Sequence, residues 1–266
     1  MIETMNTVVC VKYVPETAEV DLAINDTGKR LITEGFTFDI NEWDNYALEE
    51  AVLLKEKLGG SVTAVTVGPE EADDMLRHCL ARGADAVIRV TDKAFEDSDG
   101  YVTAKILHQA IKDLVFDLVL TGAQASDDYC AQVGPVLAQL LGIPHATMVK
   151  GIEPMKDSVR VHRELEGGWE EIVELELPAL LTIETGINEP RYVSLRDLLR
   201  ARKREVKVLG LSDVGLSIDE VGERGSWIRV ERMFLPTAEK EVKMVKGDPS
   251  EASSTVIQML RDRRVL

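Results

Sequence analysis

Cysteine and histidine are scarce in this chain, and each shortage removes a class of chemistry. Cys10, Cys79 and Cys130 are odd in number, widely spaced and form no C-x-x-C. That argues against a disulfide framework, a zinc site or an iron–sulfur cluster. Three buried thiols acting as small hydrophobic groups are the simpler expectation. The four histidines, His78, His108, His145 and His162, lie far apart, with no pair at metal-ligand spacing. No G-x-S-x-G elbow and no Walker A sequence occur, and the loop Lys12-Tyr-Val-Pro-Glu-Thr17 lacks G-x-G-x-x-G. A nucleotide, if present, is expected to be held by loops and not cleaved. No uninterrupted apolar run reaches about 18 residues, so no transmembrane helix is expected. Met1 to Asn6 carry neither a basic region ahead of an apolar one nor an Arg/Ser-rich presequence, which points to a cytoplasmic or already processed chain.

Positive charge is short as well. Thirty-one cations against 47 acids leave a net charge of −16, which disfavours nucleic acid as a partner and favours solubility. Acid pairs such as Glu49-Glu50, Glu70-Glu71 and Asp73-Asp74 read most simply as solvated faces. What is present is apolar content of 45%, enough for a core. At 266 residues the chain is long enough for one large α/β domain with an appendage.

Thr7 to Val11 is apolar on both faces, as a central parallel strand requires. Asp26-Thr-Gly28 signals a turn. Ala47, Ala51, Leu54 and Leu58 line one face of a helix over 45–58, stopped by Gly59-Gly60. A strand over 61–67, a helix over 70–81, a strand over 87–90 and a helix around 102–111 follow. A further strand over 114–120 leads into a loop and a helix from about Cys130 to Leu141. This alternation predicts a doubly wound, mostly parallel sheet of Rossmann-like or flavodoxin-like type. Residues 159–163 and 172–177 then alternate around Glu166-Gly167-Gly168, a hairpin that extends the sheet in antiparallel sense. Ala179 to Ile183 is another apolar run. Residues 1–200 read as the nucleotide-binding domain. Residues 201–266 are charged and thin in apolar content, and read as an arm lying on something else.

Two places are candidates for function. The loop Gly122, Ala123, Gln124, Ala125, Ser126, Asp127, Asp128, Tyr129, Cys130, Ala131, Gln132 and Val133 leaves the carboxyl end of a predicted parallel strand, where open α/β sheets bind ligands. Ser126 or Asp127 is placed to cap the next helix. The loop is either a plain capped helix start or a cradle for phosphate on helix N–H groups. In the second place, Ser194-Leu-Arg-Asp197 fits a capping box, with Asp standing in for the usual Glu. Leu195, Leu198 and Leu199 follow, and then five cations from Arg200 to Lys207. They suit a core-packed helix, or an exposed anchor with a positive collar for an acidic partner.

The run from Val161 to Thr182, with Arg163-Glu-Leu-Glu-Gly-Gly-Trp-Glu170 and Leu177-Pro-Ala-Leu-Leu-Thr182, resembles the segment that marks electron transfer flavoprotein β subunits. So does Asn188-Glu-Pro-Arg-Tyr192 with its basic tail. Val11-Lys-Tyr-Val-Pro15 and Ala81-Arg-Gly-Ala-Asp85 extend the similarity over nearly the whole chain. The resemblance implies a fold of the adenine-nucleotide alpha-hydrolase type. It also implies an electron carrier subunit and not an enzyme. An α subunit would carry the redox FAD, and this chain would hold a buried AMP. The AMP site would comprise Cys10, Asn41, Glu42, Trp43, Asp44, Val67 and the loop from Gly122 to Val133. Glu42 departs from the family's common proline. Relatives that bifurcate electrons from NADH carry a second FAD instead, with an Asp-Gly-Asp-Thr loop; Asp127-Asp-Tyr-Cys130 is nearer the AMP form. Leu195 matches the leucine that inserts into a dehydrogenase, within a recognition loop over about 184–200. Arg200 and Lys203 match the basic positions behind it, and Glu164 an acid that meets the flavin domain of α. The implied partners are the α subunit, which the segment from about 205 onward would wrap, an acyl-CoA or related dehydrogenase, and a quinone-linked oxidoreductase. Fatty acid β-oxidation is the implied setting. A stand-alone nucleotide-binding protein is the remaining alternative.

Overall fold

The computed structural model describes residues 4–236 and 244–266. Residues 1–3 of the expected leader-free start and 237–243 of the expected arm lie outside the described residues. The strands are β1 (Thr7–Cys10), β2 (Tyr13–Pro15), β3 (Phe38–Ile40), β4 (Val62–Val67), β5 (Ala86–Val90) and β6 (Leu118–Gly122). They continue with β7 (His145–Pro154), β8 (Ser158–Leu165), β9 (Trp169–Glu176), β10 (Ala179–Ile183) and β11 (Lys207–Leu209). The helices are α1 (Glu42–Leu58), α2 (Ala72–Arg82), α3 (Gly100–Ile111), α4 (Val133–Leu141), α5 (Leu195–Ala201), α6 (Gly222–Gly225) and α7 (Pro249–Asp262).

A nine-stranded sheet runs β11-β5-β4-β1-β6-β10-β7-β8-β9. Every pairing from β11 to β7 is parallel; β8 and β9 are antiparallel additions. The expected doubly wound fold with an antiparallel extension is what forms. Strand residues divide by parity between two cores. Val9, Ala64, Leu120 and Leu181 pack with α1 and α2, whereas Val8, Cys10, Val65, Val119 and Leu180 pack with α3 and α4. Burial on both faces is why these strands read as unbroken apolar runs.

Several boundaries differ from the sequence expectation. Helix α1 begins at Glu42, three residues early, because Asn41 leaves β3 and turns straight into it. Helix α4 begins only at Val133 behind Gln132, so neither Ser126 nor Asp127 caps it. Strand β7 is absent from the sequence expectation: its mixed sequence, with Gly151 and Pro154, hides a strand whose buried residues, Ala146 and Val149, stand three apart across a register shift. The hairpin β8–β9 is therefore part of a three-stranded meander. Residues after Arg200 are not all arm. Strand β11 pairs with β5, and Val214, Leu216 and Val221 are buried against the α3/α4 core. Residues 227–236 are exposed. Two thiols, Cys10 and Cys79, are buried as expected, and burial pushes both up to about 12; Cys130 is exposed.

Candidate functional site

From β1 the chain winds outward through β4 to β5, then returns to place β6 on the other side of β1. The carboxyl ends of β1 and β6 therefore flank the point where the strand order reverses, the position at which open α/β sheets form a binding crevice. Cys10 ends β1 and Gly122 ends β6. Val67 ends β4 on the far side of β1, half-buried.

The first turn of α1 ties this crevice together. The Asn41 side-chain amide donates to the Gln124 carbonyl at 2.8 Å and accepts from the Ser126 N–H at 3.0 Å. It holds the loop as a strand neighbour would. Buried Asp44 accepts the N–H of Lys12 through one oxygen and that of Gly122 through the other, both at 2.7 Å. It thereby bridges the exits of the two strands. Glu42 is exposed at the start of the same turn. The Trp43 indole N–H donates to Glu184 at 2.9 Å, and its ring meets Tyr129 edge-on at 5.9 Å.

Burial pushes the Asp44 carboxyl up from 3.8 to about 7, against the pull of its two backbone donors. A folded value above the unfolded one means that the folded state keeps a proton the unfolded state has released. Stability from this group is thus expected to fall as pH rises from about 4 to about 7, and to stay level above that. The stability advantage of wild type over Asp44→Asn should shrink across this window in urea titrations. A pH-independent difference would contradict the assignment.

Beyond Gly122 the loop leaves β6 with the Ala123 N–H donating to Ile183 of β10 at 2.8 Å. Tyr129 and Ala131 take left-handed backbone conformations, with φ of 51° and 53°. Non-glycine residues adopt these at a cost, and such cost concentrates at functional sites. The Gln132 side chain makes no capping hydrogen bond to α4. Among the described residues the N–H groups of Val133 and of buried Gly134 have no acceptor outside the helix, as the first turn of a helix leaves them, and Pro135 has none to offer. Gly134 fits because a Cβ there would stand 2.6 Å from Thr182 Cγ2. Lys12 Nζ reaches Asp127 at 2.6 Å and Asp128 at 3.0 Å. Burial pulls this ammonium down, but the two carboxylates hold it above the ordinary lysine value. Among the described residues no cluster of His, Cys, Asp and Glu has the arrangement of a metal site, and no histidine lies in this loop.

The crevice thus gathers Cys10, Asn41, Trp43, Asp44 and the 122–133 loop. Sequence reasoning missed Lys12, whose partners are 115 and 116 residues away. It also misread Glu49. That carboxylate is not on a solvated face: only 3% of its side chain is exposed, and Arg191 holds it at 2.9 Å. Arg191 also reaches Glu56 at 2.6 Å, and Asn188 donates to the Tyr46 carbonyl and to Glu50. The segment leading to α5 is therefore hung along α1.

At α5 the Ser194 hydroxyl accepts the Asp197 N–H at 3.2 Å. The Asp197 carboxylate, one methylene shorter than Glu, accepts a hydrogen bond from the Ser194 hydroxyl at 2.5 Å instead of reaching the backbone. Leu195 and Leu199 are 72% and 51% exposed, with Arg200 and Lys203 beside them. Leu198 is half-buried. Glu164 is half-buried on β8 and paired with Lys150.

Comparison with known proteins agrees with this architecture. The family model described as the electron transfer flavoprotein domain matches residues 30–214. The electron transfer flavoprotein subunit beta of Thermoanaerobacterium thermosaccharolyticum is 41% identical over 263 residues, covering 98% of this chain and 100% of that protein. Its counterpart from Methylophilus methylotrophus is 40% identical over 248 residues, 92% of this chain and 94% of that one. The caffeyl-CoA reductase-Etf complex subunit CarD of Acetobacterium woodii is 36% identical over 265 residues, 98% of this chain and 100% of that one. The sequence motifs, the doubly wound sheet and these near full-length matches agree, and the chain belongs to the electron transfer flavoprotein β subunit family.

Proposed function

We propose that this chain is the β half of a heterodimeric electron carrier in the cytoplasm, and that the crevice between β1 and β6 holds AMP. The observation that carries the reading is the donor set at the reversal of strand order. The open N–H groups at the start of α4 suit a phosphate, and Asn41 and Asp44 fix the loop in front of them. Asp127 and Asp128 would repel an anion, but Lys12 engages both carboxylates. The residues present fit an adenylate. Cys10, Val67, Trp43 and the loop from Gly122 to Val133 would enclose it.

FAD on an α subunit supplies the electron-transfer chemistry. This chain's residues position and dock. Exposed Trp227, Ile228, Val230 and Phe234, with Val256 and Ile257 of α7, would cover the α subunit, and Glu164 would meet its flavin domain. Leu195 would insert into an acyl-CoA or related dehydrogenase, with Arg200 and Lys203 as a positive collar. Electrons would leave for a quinone-linked oxidoreductase. Leu195→Ala is expected to slow flavin reduction by the dehydrogenase at least tenfold in stopped-flow, as an anchor residue does, with flavin content unchanged. Equal rates would remove the anchor.

The second reading is a β subunit that binds FAD in the same crevice and oxidises NADH, in keeping with the similarity to a subunit of a caffeyl-CoA reductase-Etf complex. Denaturing the purified heterodimer separates the two. One flavin and one AMP per dimer support the carrier; two flavins and no AMP support the second reading.

A further inference from the structure

Two regions given separate roles, the nucleotide crevice and the docking segment, share one helix. Along α1, Asn41 and Asp44 organise the crevice, whereas Tyr46, Glu49, Glu50 and Glu56 hold Asn188 and Arg191. Trp43 lies in the first turn of α1, next to Asp44. Its ring lies edge-on to Tyr129 of the crevice loop, and its N–H donates to Glu184, the residue after β10 where the docking segment begins. The same Glu184 oxygen accepts the Thr185 N–H at 2.9 Å and the Thr185 hydroxyl at 3.0 Å. One carboxylate oxygen thus joins the crevice wall to the first turn of the docking segment.

We infer that Glu184 is a positioning residue that couples the crevice to the docking segment: a nucleotide that orders Tyr129 and Trp43 fixes residues 184–200, and through them Leu195. This rests on the proposed AMP site and docking role. The physical basis is contact. Tyr129 holds a left-handed backbone position, with φ of 51°, at a conformational cost that contacts with a nucleotide would offset. Its packing partner Trp43 has a single N–H, and Glu184 receives it. Coupling of this kind is reciprocal, so whatever seizes Leu195 also tightens the grip on the nucleotide.

The test is amide hydrogen exchange across residues 184–200 in the purified heterodimer, with AMP retained and after AMP is stripped; nucleotide content is measured first. Typical coupling energies predict that stripping AMP accelerates exchange in this segment by roughly tenfold in wild type. Glu184→Ala should exchange fast in both states. Glu184→Gln keeps an acceptor oxygen in place and should behave as wild type, a rescue that a general loss of stability would not give. Trp43→Phe removes the donor but keeps a ring, and should match Glu184→Ala should the latter fold poorly. Identical exchange with and without AMP in wild type overturns the inference while leaving the nucleotide site standing. A heterodimer that never contained AMP sinks the site and the inference together.

Discussion

Arg191→Ala is expected to lower the unfolding free energy by about 3 kcal/mol, as a shift of the urea midpoint with unchanged slope. The arginine serves two carboxylates of very different exposure. Glu56 is 53% exposed, and its pairing is worth at most about 1 kcal/mol. Glu49 is 3% exposed, so removing its cation strands a charge away from water. The stranded charge, not the lost attraction, carries most of the cost. Two controls follow. Glu56→Gln should change stability by less than about 1 kcal/mol. Glu49→Gln added to Arg191→Ala should recover much of the loss, since the buried group is then neutral. If both single substitutions proved equally mild, Glu49 would not be buried as described. Because the Arg191 guanidinium also ties the proposed docking segment to α1 through Glu49 and Glu56, Arg191→Ala should additionally slow flavin reduction by the dehydrogenase.

Gly122→Ala should be the most damaging single-methyl addition in the crevice. A Cβ there would stand 2.5 Å from an Asp44 carboxylate oxygen and 2.6 Å from Trp43 Cβ, closer than real contacts. Neither neighbour is free to yield. Asp44 is held by two backbone donors, and Trp43 Cβ lies at the root of its side chain on α1. Overpacking of this sort costs about 1–3 kcal/mol. It should also displace the 122–133 loop, so that the heterodimer loses AMP during purification. Gly68→Ala is the matched control. Its Cβ would meet Ala72 at 3.7 Å and Thr66 at 3.8 Å, ordinary contacts, and should leave both stability and nucleotide content intact. Full AMP retention in Gly122→Ala would contradict the assignment of the crevice.

The parts of the fold legible in the sequence were those where burial acts on neighbouring residues. Thr7 to Cys10, Val62 to Val67 and Leu118 to Gly122 sit between two helical layers, so their apolar runs are unbroken. The Ser194 cap was legible for the same reason: hydroxyl, backbone N–H and carboxylate all lie within four residues. Long-range pairings left no local trace. Lys12 with Asp127, Asp44 with Gly122, and Glu49 with Arg191 join residues far apart in sequence. In so acidic a chain, Glu49 looks like any other surface acid until its partner is seen. Strand β7 escaped because a register shift against β10 sets its two buried residues, Ala146 and Val149, three positions apart and breaks the period of two. The loop before α4 is a ligand candidate on position alone, and neither Ser126 nor Asp127 caps the helix as expected.

The last strand, β9, pairs with β8 on one side and with no described strand on the other. Its free margin carries exposed Glu170, Glu171, Glu174 and Glu176, of which Glu171 and Glu174 are drawn toward Arg163 and Arg160. A second copy approaching that margin would line acid against acid, so unwanted strand pairing is opposed before it can begin. Freshly made chains that await a companion are protected from one another by the same surplus of carboxylates that gives the whole molecule its charge of −16.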